Sequence, residues 1–203
     1  MRNKEFLNND PALFDEVATR CLEGYLALDG GEGYPRAVAI NFAAQDGRIY
    51  FHGALAGDKF KRLAANGRVG FTMVLPYSLT PSYWATSDGS ACPATQLYIS
   101  IEVCGLCCLV EDRVEKASGL QSIMEKYQPE GNHRPIDNED PRYERSITGV
   151  GVFRVEVESW SGKVRMGQNL PEKSRRNLVN HLRKRGSKLD QKTADWIAAT
   201  FET

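Results

Sequence analysis

The chain has 203 residues, enough to bury a sizeable apolar core within one domain. Its 26 basic residues balance 26 acidic ones, and no apolar run approaches the roughly 18 residues of a membrane span, so the sequence predicts a soluble protein. The N-terminal segment has no apolar stretch after its basic residues. A secretory signal is therefore not expected, and the cytoplasm is the predicted location.

The five cysteines are odd in number and irregularly spaced, which predicts reduced thiols rather than a disulfide framework. Cys104, Cys107 and Cys108 resemble a metal-binding motif, but no second Cys or His cluster lies nearby to complete four ligands, so no metal site is expected. In a strand, Cys104 and Cys108 face one side and Cys107 the other. This alternation predicts ordinary strand packing.

The first third of the chain predicts one helix and three strands. The helix begins at Asp10-Pro11, continues with apolar residues at helical spacing, and stops at Gly24. A glycine-rich turn at residues 30–33 and the Asp46-Gly47 dipeptide then separate three strands that read as a meander. These strands are Tyr25–Asp29, Pro35–Phe42 and Arg48–His52.

The next segment predicts a short helix over Gly57–Asn66 and a strand over Arg68–Leu75. Residues 76–95 are rich in Ser, Thr, Pro and Gly and predict a long loop. Tyr77, Tyr83 and Trp84 lie in this loop. They either cover a functional site or anchor the loop to the surface.

The remainder of the chain predicts two long strands and then helices. The strands are Leu97–Val110 and Thr148–Glu158, separated by a helix over Asp112–Tyr127 and a polar loop over residues 128–145. Two helices follow, over Ser174–Arg185 and Lys188–Phe201. Short strands interrupted by a few helices predict a mainly β, α+β fold: an antiparallel barrel over residues 1–166 with a helical appendage over 167–203.

One group of residues suggests an anion site. Lys59 and Lys61 lie at the start of a helix preceded by glycine, and His52 and Arg36 lie on neighbouring predicted strands. Phe60 replaces the metal-binding hydroxyl of a nucleotide P-loop, so that motif is excluded. Basic residues beside glycine are also common on solvated surfaces, and His52 alternatively fits an ordinary histidine at a barrel edge.

Four motifs resemble the FMN-binding split-barrel family that includes pyridoxamine 5′-phosphate oxidase. They are, in order, RAVAIN from Arg36, DGRIYFHGALAGDK from Asp46, ATQLYISIEVCG from Ala94 and VESWSGKVR from Val157. The resemblance spans residues 10–166 and is greatest to the flavin-nucleotide-binding, or nitroimidazole-resistance-like, branch. It implies an FMN-binding split β-barrel with flanking helices.

Position by position, the resemblance implies an FMN site formed by ten residues. They are Arg36, Ala37, Val38, Ala39, Asn41, Phe51, His52, Lys59, Ser100 and Trp160. Lys59 matches the phosphate-binding lysine, Ser100 a polar residue from the partner subunit, and Trp160 an aromatic at the flavin edge. Because FMN lies between two subunits in this family, the resemblance implies a homodimer, and the strand faces of Ile99, Ile101 and Val103 are expected to meet the partner.

Three departures separate this chain from pyridoxamine oxidases. Asn41 stands where those enzymes carry lysine, and Asp58 where they carry arginine. The C-terminal Arg-x-His motif appears as Arg165-Met166-Gly167, without the histidine. Oxidation of pyridoxamine 5′-phosphate is therefore not expected.

These features predict an FMN-dependent oxidoreductase or reductase of a small aromatic or nitroaromatic substrate, with His52 contacting the substrate. A non-catalytic flavin or haem carrier, with His52 as axial ligand, is the alternative, and a deazaflavin could replace FMN. The segment from Lys163 to Lys192 contains ten basic residues and only two acidic ones. We expect a solvated basic surface there rather than a nucleic-acid site.

Overall fold

A computed structural model describes residues 3–31 and 33–201; Glu32, in the predicted glycine-rich turn, lies outside the described residues. Within these two ranges the chain forms seven strands and six α-helices, and no helix combines the length and apolar character needed to cross a membrane. The strands are β1 (Gly24–Asp29), β2 (Pro35–Ile40), β3 (Ala43–Gln45), β4 (Arg48–Gly53), β5 (Arg68–Thr80), β6 (Thr95–Leu109) and β7 (Gly151–Arg165). The helices are α1 (Pro11–Arg20), α2 (Asp58–Ala65), α3 (Arg113–Tyr127), α4 (Glu144–Gly149), α5 (Glu172–Arg185) and α6 (Lys188–Ala199).

All seven strands belong to one sheet with the order β2-β1-β5-β6-β7-β4-β3. The β1–β2, β1–β5, β3–β4 and β4–β7 ladders are antiparallel. Helices flank this sheet rather than alternating with parallel strands. The predicted fold class, mainly β within an α+β split-barrel architecture, is confirmed.

The start of α1 and the turn between β3 and β4 lie where the local sequence predicts them. The Asp10 side chain accepts a hydrogen bond from the Ala12 N–H at 3.0 Å, and α1 begins at Pro11 as predicted. Asp46 and Gly47 both have positive φ, 52° and 74°, which is the backbone of a type I′ turn closing the β3–β4 hairpin.

The predicted three-stranded meander is wrong. β2 pairs with β1, whereas β4 pairs with β3 and β7, so the predicted second and third strands are not neighbours in the sheet order. β2 ends at Ile40, and the Phe42 N–H beyond it donates to the Tyr127 hydroxyl at 3.1 Å rather than to β1. The short strand β3 then starts a separate hairpin.

Two other boundaries differ from the sequence prediction. β5 continues to Thr80 through Pro76, which was predicted to begin a loop; its ladder with β1 ends at Met73, so the missing N–H of Pro76 does not interrupt that ladder. Thr148 was predicted to start a strand but lies in α4, and β7 runs instead from Gly151 to Arg165.

Contacts divide the chain into two compact units. Unit 1 comprises Met1–Asn9, Val74–Ser100 and Gly162–Thr203, and unit 2 comprises Asp10–Met73 and Ile101–Ser161. The proposed boundary between a barrel over residues 1–166 and an appendage over 167–203 stays a prediction.

Aromatic pairs form part of the core of unit 2. Phe51 and Phe153 stack with ring centroids 5.1 Å apart and planes 11° from parallel, and Phe42 meets Phe71 edge-on at 5.0 Å. All four rings are buried. Such pairs contribute about 0.5–1.5 kcal/mol each beyond their buried area.

Helix α3 packs closely on β4 and β7. Tyr50 is buried with Val110 and Val152, and its hydroxyl donates to Glu115 at 3.0 Å. Gly119 faces this ring: a Cβ added there would lie 2.8 Å from Tyr50 Cδ1. Glycine in mid-helix is unfavourable by propensity, and here it is explained by the close approach of a buried ring.

Lys126 lies at the C-terminal end of α3 in an unusual setting for an amine. Its Nζ lies 3.4 Å from the Phe42 ring centroid and donates to the Ala18 carbonyl at 2.8 Å. Burial lowers the pKa of Lys126 to about 8.

In unit 1, α5 and α6 form a helical hairpin attached to β5. Gly186, with φ 75°, ends α5, and Ser187 begins α6 with a capping box to Asp190. The buried Asp190 carboxylate also accepts from Ser78 Oγ at 2.6 Å and from Arg185 Nε at 2.9 Å. These hydrogen bonds hold the pKa of Asp190 well below its usual range.

Strand β6 shows the predicted alternation of its cysteines. Cys107 is buried, Cys104 is exposed and Cys108 is intermediate, and burial raises the pKa of Cys107 to about 12. The alternation also corrects one expectation. The side chains of Ile99, Ile101 and Val103 are buried within the chain itself and therefore do not form a surface for a partner.

Replacement of Gly119 by alanine should destabilise the protein although alanine favours helices. The added methyl group meets a buried ring, and overpacking of this kind lowers the free energy of unfolding by about 1–3 kcal/mol. Urea unfolding measures the difference. Gly149→Ala is the matched control, since a Cβ at Gly149 meets no atom within 4 Å; equal effects of the two substitutions would contradict the packing argument.

The Lys126 environment predicts a pH-dependent stability difference between wild type and Lys126→Met. The pKa of Lys126 is about 8 in the folded state against 10.5 ordinarily, so between these values the unfolded chain binds more protons. Wild type should therefore gain stability relative to the variant as pH rises through this window. Unfolding curves at several pH values test this, and a constant or shrinking difference would contradict it.

Candidate functional site

Eight of the ten predicted site residues lie on, or directly after, three elements of unit 2. Arg36, Ala37, Val38 and Ala39 lie on β2 and Asn41 follows it; Phe51 and His52 lie on β4; Lys59 lies on α2. Although β2 and β4 are not neighbours in the sheet order, α2 contacts residues of both, through Asp58 to β2 and through Lys59 to β4. Helix α2 therefore connects the predicted site residues.

At the start of α2, one carboxylate is shared by two guanidinium groups. Asp58 forms an ion pair with Arg36 of β2 and accepts a hydrogen bond from Arg62 Nε at 2.8 Å. The hydrogen bond from Arg62 and the charges of both arginines hold the pKa of Asp58 below its usual value. The group keeps a net positive charge, because two cations surround one anion.

Arg62 was not predicted as a site residue. It lies four positions after Asp58 on the same face of α2, a spacing that brings opposite charges together in a helix. The sequence thus contained the signal once the helix over residues 57–66 was predicted.

Lys59 folds back over the end of β4. Its Nζ is 5.4 Å from the Phe51 ring centroid and 3.0 Å from the position that a Cβ would take at Gly53. Partial burial lowers the pKa of Lys59. The absence of a side chain at Gly53 provides the room for this amine beside the strand.

The backbone at the start of α2 is also suited to a bulky anion. Gly57 is the N-cap with φ 91° and ψ −178°, a conformation that side chains disfavour. A Cβ at Gly57 would meet nothing within 4 Å, so no neighbouring atom crowds this residue. Helix N-termini attract anions through their backbone N–H groups and dipole.

Phe51 and His52 face opposite sides of β4, as strand geometry requires. Phe51 is completely buried against Phe153, so any contact of Phe51 with a ligand is through its main chain. His52 is exposed and pairs in register with Val152 of β7. It is the member of the pair whose side chain is accessible to a substrate.

Strand β2 is an edge strand of the sheet, and most of its residues are exposed. Arg36, Ala37 and Ala39 are exposed, Val38 is partly buried, and the following Asn41 is exposed. Its register with β1 runs from Gly24↔Ile40 to Asp29↔Pro35. The short alanine side chains leave the main chain of this strand accessible to a flat ligand.

The other two predicted site residues, Ser100 and Trp160, lie on β6 and β7. Trp160 of β7 packs on Phe14 of α1 with ring centroids 5.4 Å apart, and Ser100 of β6 belongs to unit 1 and is only 5% exposed. A side chain this buried offers little surface to a second subunit. Their roles at a flavin stay predictions.

The aromatic residues predicted to lie in one loop behave differently from one another. Tyr77 is a buried residue of β5, whereas Tyr83 is 76% exposed. Trp84 stacks on His181 of α5 at 5.0 Å and lies beside the Arg185 guanidinium at 4.7 Å. Trp84 therefore anchors its loop to α5.

Known structures share this fold. A candidate 5-nitroimidazole antibiotic resistance protein from Bacteroides thetaiotaomicron is 22% identical with a TM-score of 0.63, over 78% of this chain and 86% of that one. A flavocytochrome from Azotobacter vinelandii is 20% identical with a TM-score of 0.64, over 79% and 69% of the two chains. A FAD- and haem-binding protein from Mycobacterium smegmatis is 14% identical with a TM-score of 0.64, over 79% and 73%.

No curated protein sequence matches this chain. The sequence model of the family described as pyridoxamine 5′-phosphate oxidase matches residues 22–164. The match contains all of β2, β4 and α2, the elements that carry the cationic group and the exposed strand. Because it covers well over half of the 203 residues, the chain belongs to the pyridoxamine 5′-phosphate oxidase family.

Proposed function

We propose that this protein binds FMN and acts as an oxidoreductase, reducing a small aromatic or nitroaromatic acceptor. The observation that carries the proposal is the cationic group at the start of α2, next to the exposed strand β2. Both lie within the span that matches the family. A nitroaromatic acceptor also agrees with the name of the Bacteroides neighbour.

The phosphate of FMN fits the charge at the start of α2. Arg36, Lys59 and Arg62 contribute three positive charges and Asp58 one negative charge, while a phosphate monoester carries about −1.5 to −2 at neutral pH. The uncrowded backbone at Gly57 is compatible with a phosphate at this helix start. In this arrangement Lys59 donates to the phosphate, and Asp58 holds the two arginines in position.

The flavin ring is placed along the exposed strand β2. The main-chain N–H and C=O groups of β2 that point away from β1 serve as hydrogen-bonding partners for the ring edge, and the two alanines permit close approach. Bound FMN supplies the electron-transfer chemistry. The chain orients it, and the exposed His52 offers a polar contact to the substrate.

Pyridoxamine 5′-phosphate is not the substrate that we propose. Asn41 is uncharged where pyridoxamine oxidases carry lysine, and Met166-Gly167 after Arg165 lacks their histidine. The basic residues that remain, Arg36, Lys59 and Arg62, are those that we assign to the phosphate of FMN. A substrate without phosphate agrees better with these residues.

A second candidate is a non-catalytic flavin or haem carrier. The Azotobacter and Mycobacterium neighbours are described as a flavocytochrome and a FAD- and haem-binding protein. The exposed imidazole of His52 is the group that favours this alternative, since histidine is a common axial ligand of haem iron. A visible spectrum distinguishes the two, because haem has an intense Soret band and flavin does not.

We also propose that the working form is a homodimer with FMN between the subunits. The exposed edge strand β2 supports this, because free strand edges and flat apolar surfaces are usually covered in a stable assembly. Tyr34, which precedes β2, is 77% exposed and adds aromatic surface to the same strand edge. A second subunit would cover this edge and complete the flavin cavity.

The phosphate assignment predicts a specific loss of FMN affinity. Lys59→Ala should weaken FMN binding by about 1.5–3 kcal/mol, the scale of a lost charge-assisted hydrogen bond. Fluorescence titration of FMN measures this. Lys61→Ala, an exposed lysine on the same helix, is the control and should change affinity little. Lys59→Met, which keeps the apolar stem, separates lost charge from lost packing; unchanged affinity in both Lys59 variants would place the phosphate elsewhere.

The dimer proposal predicts that flavin and assembly are linked. Sedimentation of FMN-loaded protein at low micromolar concentration should give about twice the chain mass of 22.7 kDa. Ala39→Glu, on exposed β2, should weaken both dimerisation and FMN binding, because it buries a charge in the interface. Ala91→Glu, the same change in an exposed loop, should alter neither. A flavin-loaded monomer would refute the interfacial site.

A further inference from the structure

A cavity of unit 2 lies away from the residues that we assign to FMN. It measures about 380 Å³ and is lined by residues of α1, β3 and α3. None of its described lining residues belongs to β2, β4 or α2. The cavity is therefore separate from the proposed flavin site.

Lys126 brings an amine to the wall of this cavity. Its side chain is partly buried, and its Nζ donates to the carbonyl of Ala18, another lining residue, at 2.8 Å. The same nitrogen lies 3.4 Å from the ring centroid of Phe42, which is buried just before β3. These two contacts hold the amine between α1 and the start of β3.

In the part of the chain that the structure describes, no carboxylate forms an ion pair with Lys126. Glu125, the acidic residue of the lining, is exposed and accepts from Gln121 Nε2 at 2.9 Å. The other titratable groups close to the amine are Cys21, at the end of α1, and Tyr127, whose ring centroid lies 5.5 Å from Nζ. Burial raises the pKa of Tyr127, so its hydroxyl does not supply a negative charge at neutral pH.

An amine in this setting is a nucleophile at neutral pH. Burial lowers the pKa of Lys126 to about 8. At pH 7.5 roughly a quarter of such an amine is neutral, against about a thousandth of an ordinary lysine amine. The neutral amine has a lone pair for attack on an electrophile and still donates an N–H to the Ala18 carbonyl.

The lining suits a small acyl phosphate as the electrophile. Apart from Lys126 and Glu125, its described polar side chains are uncharged hydroxyls and amides, which donate to carbonyl and phosphate oxygens. They are Thr19, Gln45, Ser118, Gln121 and Ser122. The volume lies near the lower end of the range of about 300–1,000 Å³ for small-molecule pockets, so a short acyl group fits better than a long one.

We propose that Lys126 is an acylation site, which takes a short acyl group from an acyl phosphate bound in this cavity. The Lys126 nitrogen attacks the acyl carbon and forms an amide C–N bond, while the bond from that carbon to the phosphate oxygen breaks. Inorganic phosphate leaves with the electron pair of that bond, and the amine proton passes to solvent. The amide is uncharged, so acylation fixes Lys126 in the charge state that burial favours.

Acetyl phosphate tests the proposal on the full chain. Peptide mass spectrometry gives the acetylation rate of each lysine separately. At pH 7.5 Lys126 should react at least about tenfold faster than Lys116, because its larger neutral fraction outweighs its lower basicity. Lys116 is the internal control, since it lies on the same helix and is also partly buried but does not line the cavity.

The pH profile gives a readout that accessibility alone would not change. The rate at Lys126 should level off above about pH 8, as the amine becomes fully neutral, whereas the rate of an ordinary lysine amine rises to about pH 10. A rate at Lys126 that rises over the whole of this range would contradict the proposed nucleophile.

Two tryptophan substitutions test whether the reaction takes place in the cavity. Thr19→Trp fills the cavity from an exposed position of α1 and should slow acetylation of Lys126 several-fold, without changing the rate at Lys116. Ala12→Trp, at an exposed position of the same helix outside the lining, should change neither rate. The inference is overturned if Lys126 reacts no faster than Lys116, or if Thr19→Trp leaves the rate at Lys126 unchanged; neither result affects the FMN proposal.

Discussion

The antiparallel ladder between β4 and β7 fixes the candidate site. Phe51 lies opposite Phe153 within it, and their stacked rings anchor the ladder in the core. At the end of the ladder Gly53 faces Gly151, and the missing side chain of Gly53 leaves the space into which the Lys59 amine folds. Because side chains alternate along a strand, His52 is exposed to solvent while Phe51 is buried in the core. One ladder therefore sets the position of the lysine and the accessible histidine together.

The second constraint is electrostatic and involves Asp58. The pyridoxamine oxidases that this chain resembles carry arginine at this position, so Asp58 replaces a positive charge with a negative one. Here Asp58 holds Arg36 and Arg62 at the start of α2, so the local charge stays positive. These groups are partly exposed, and each ion pair contributes at most about 1 kcal/mol to stability. Their main effect is to position two guanidinium groups at the start of α2, and we propose that the phosphate of FMN binds there.

The sequence predicted features that depend on neighbouring residues and missed those that depend on distant ones. The Asp46-Gly47 turn and the end of α5 at Gly186 follow from local backbone preferences, and both were predicted. The separation of β2 from β4 follows from pairing of β4 with the distant strand β7, and the chain between them bonds to Tyr127 through Phe42, 85 positions away; no local pattern indicates either contact. At the site, the resemblance identified Lys59 on a helix start, but the ion pair that ties β2 to α2 through Arg36 and Asp58 required the structure.

We propose above that the cationic start of α2 binds the phosphate of FMN. A crystal structure of the protein grown with FMN tests it most directly. We expect phosphate oxygens within hydrogen-bond distance of Lys59 Nζ and of the first N–H groups of α2, with the ring along β2. A phosphate bound away from α2, or a flavin that does not contact β2, would contradict it.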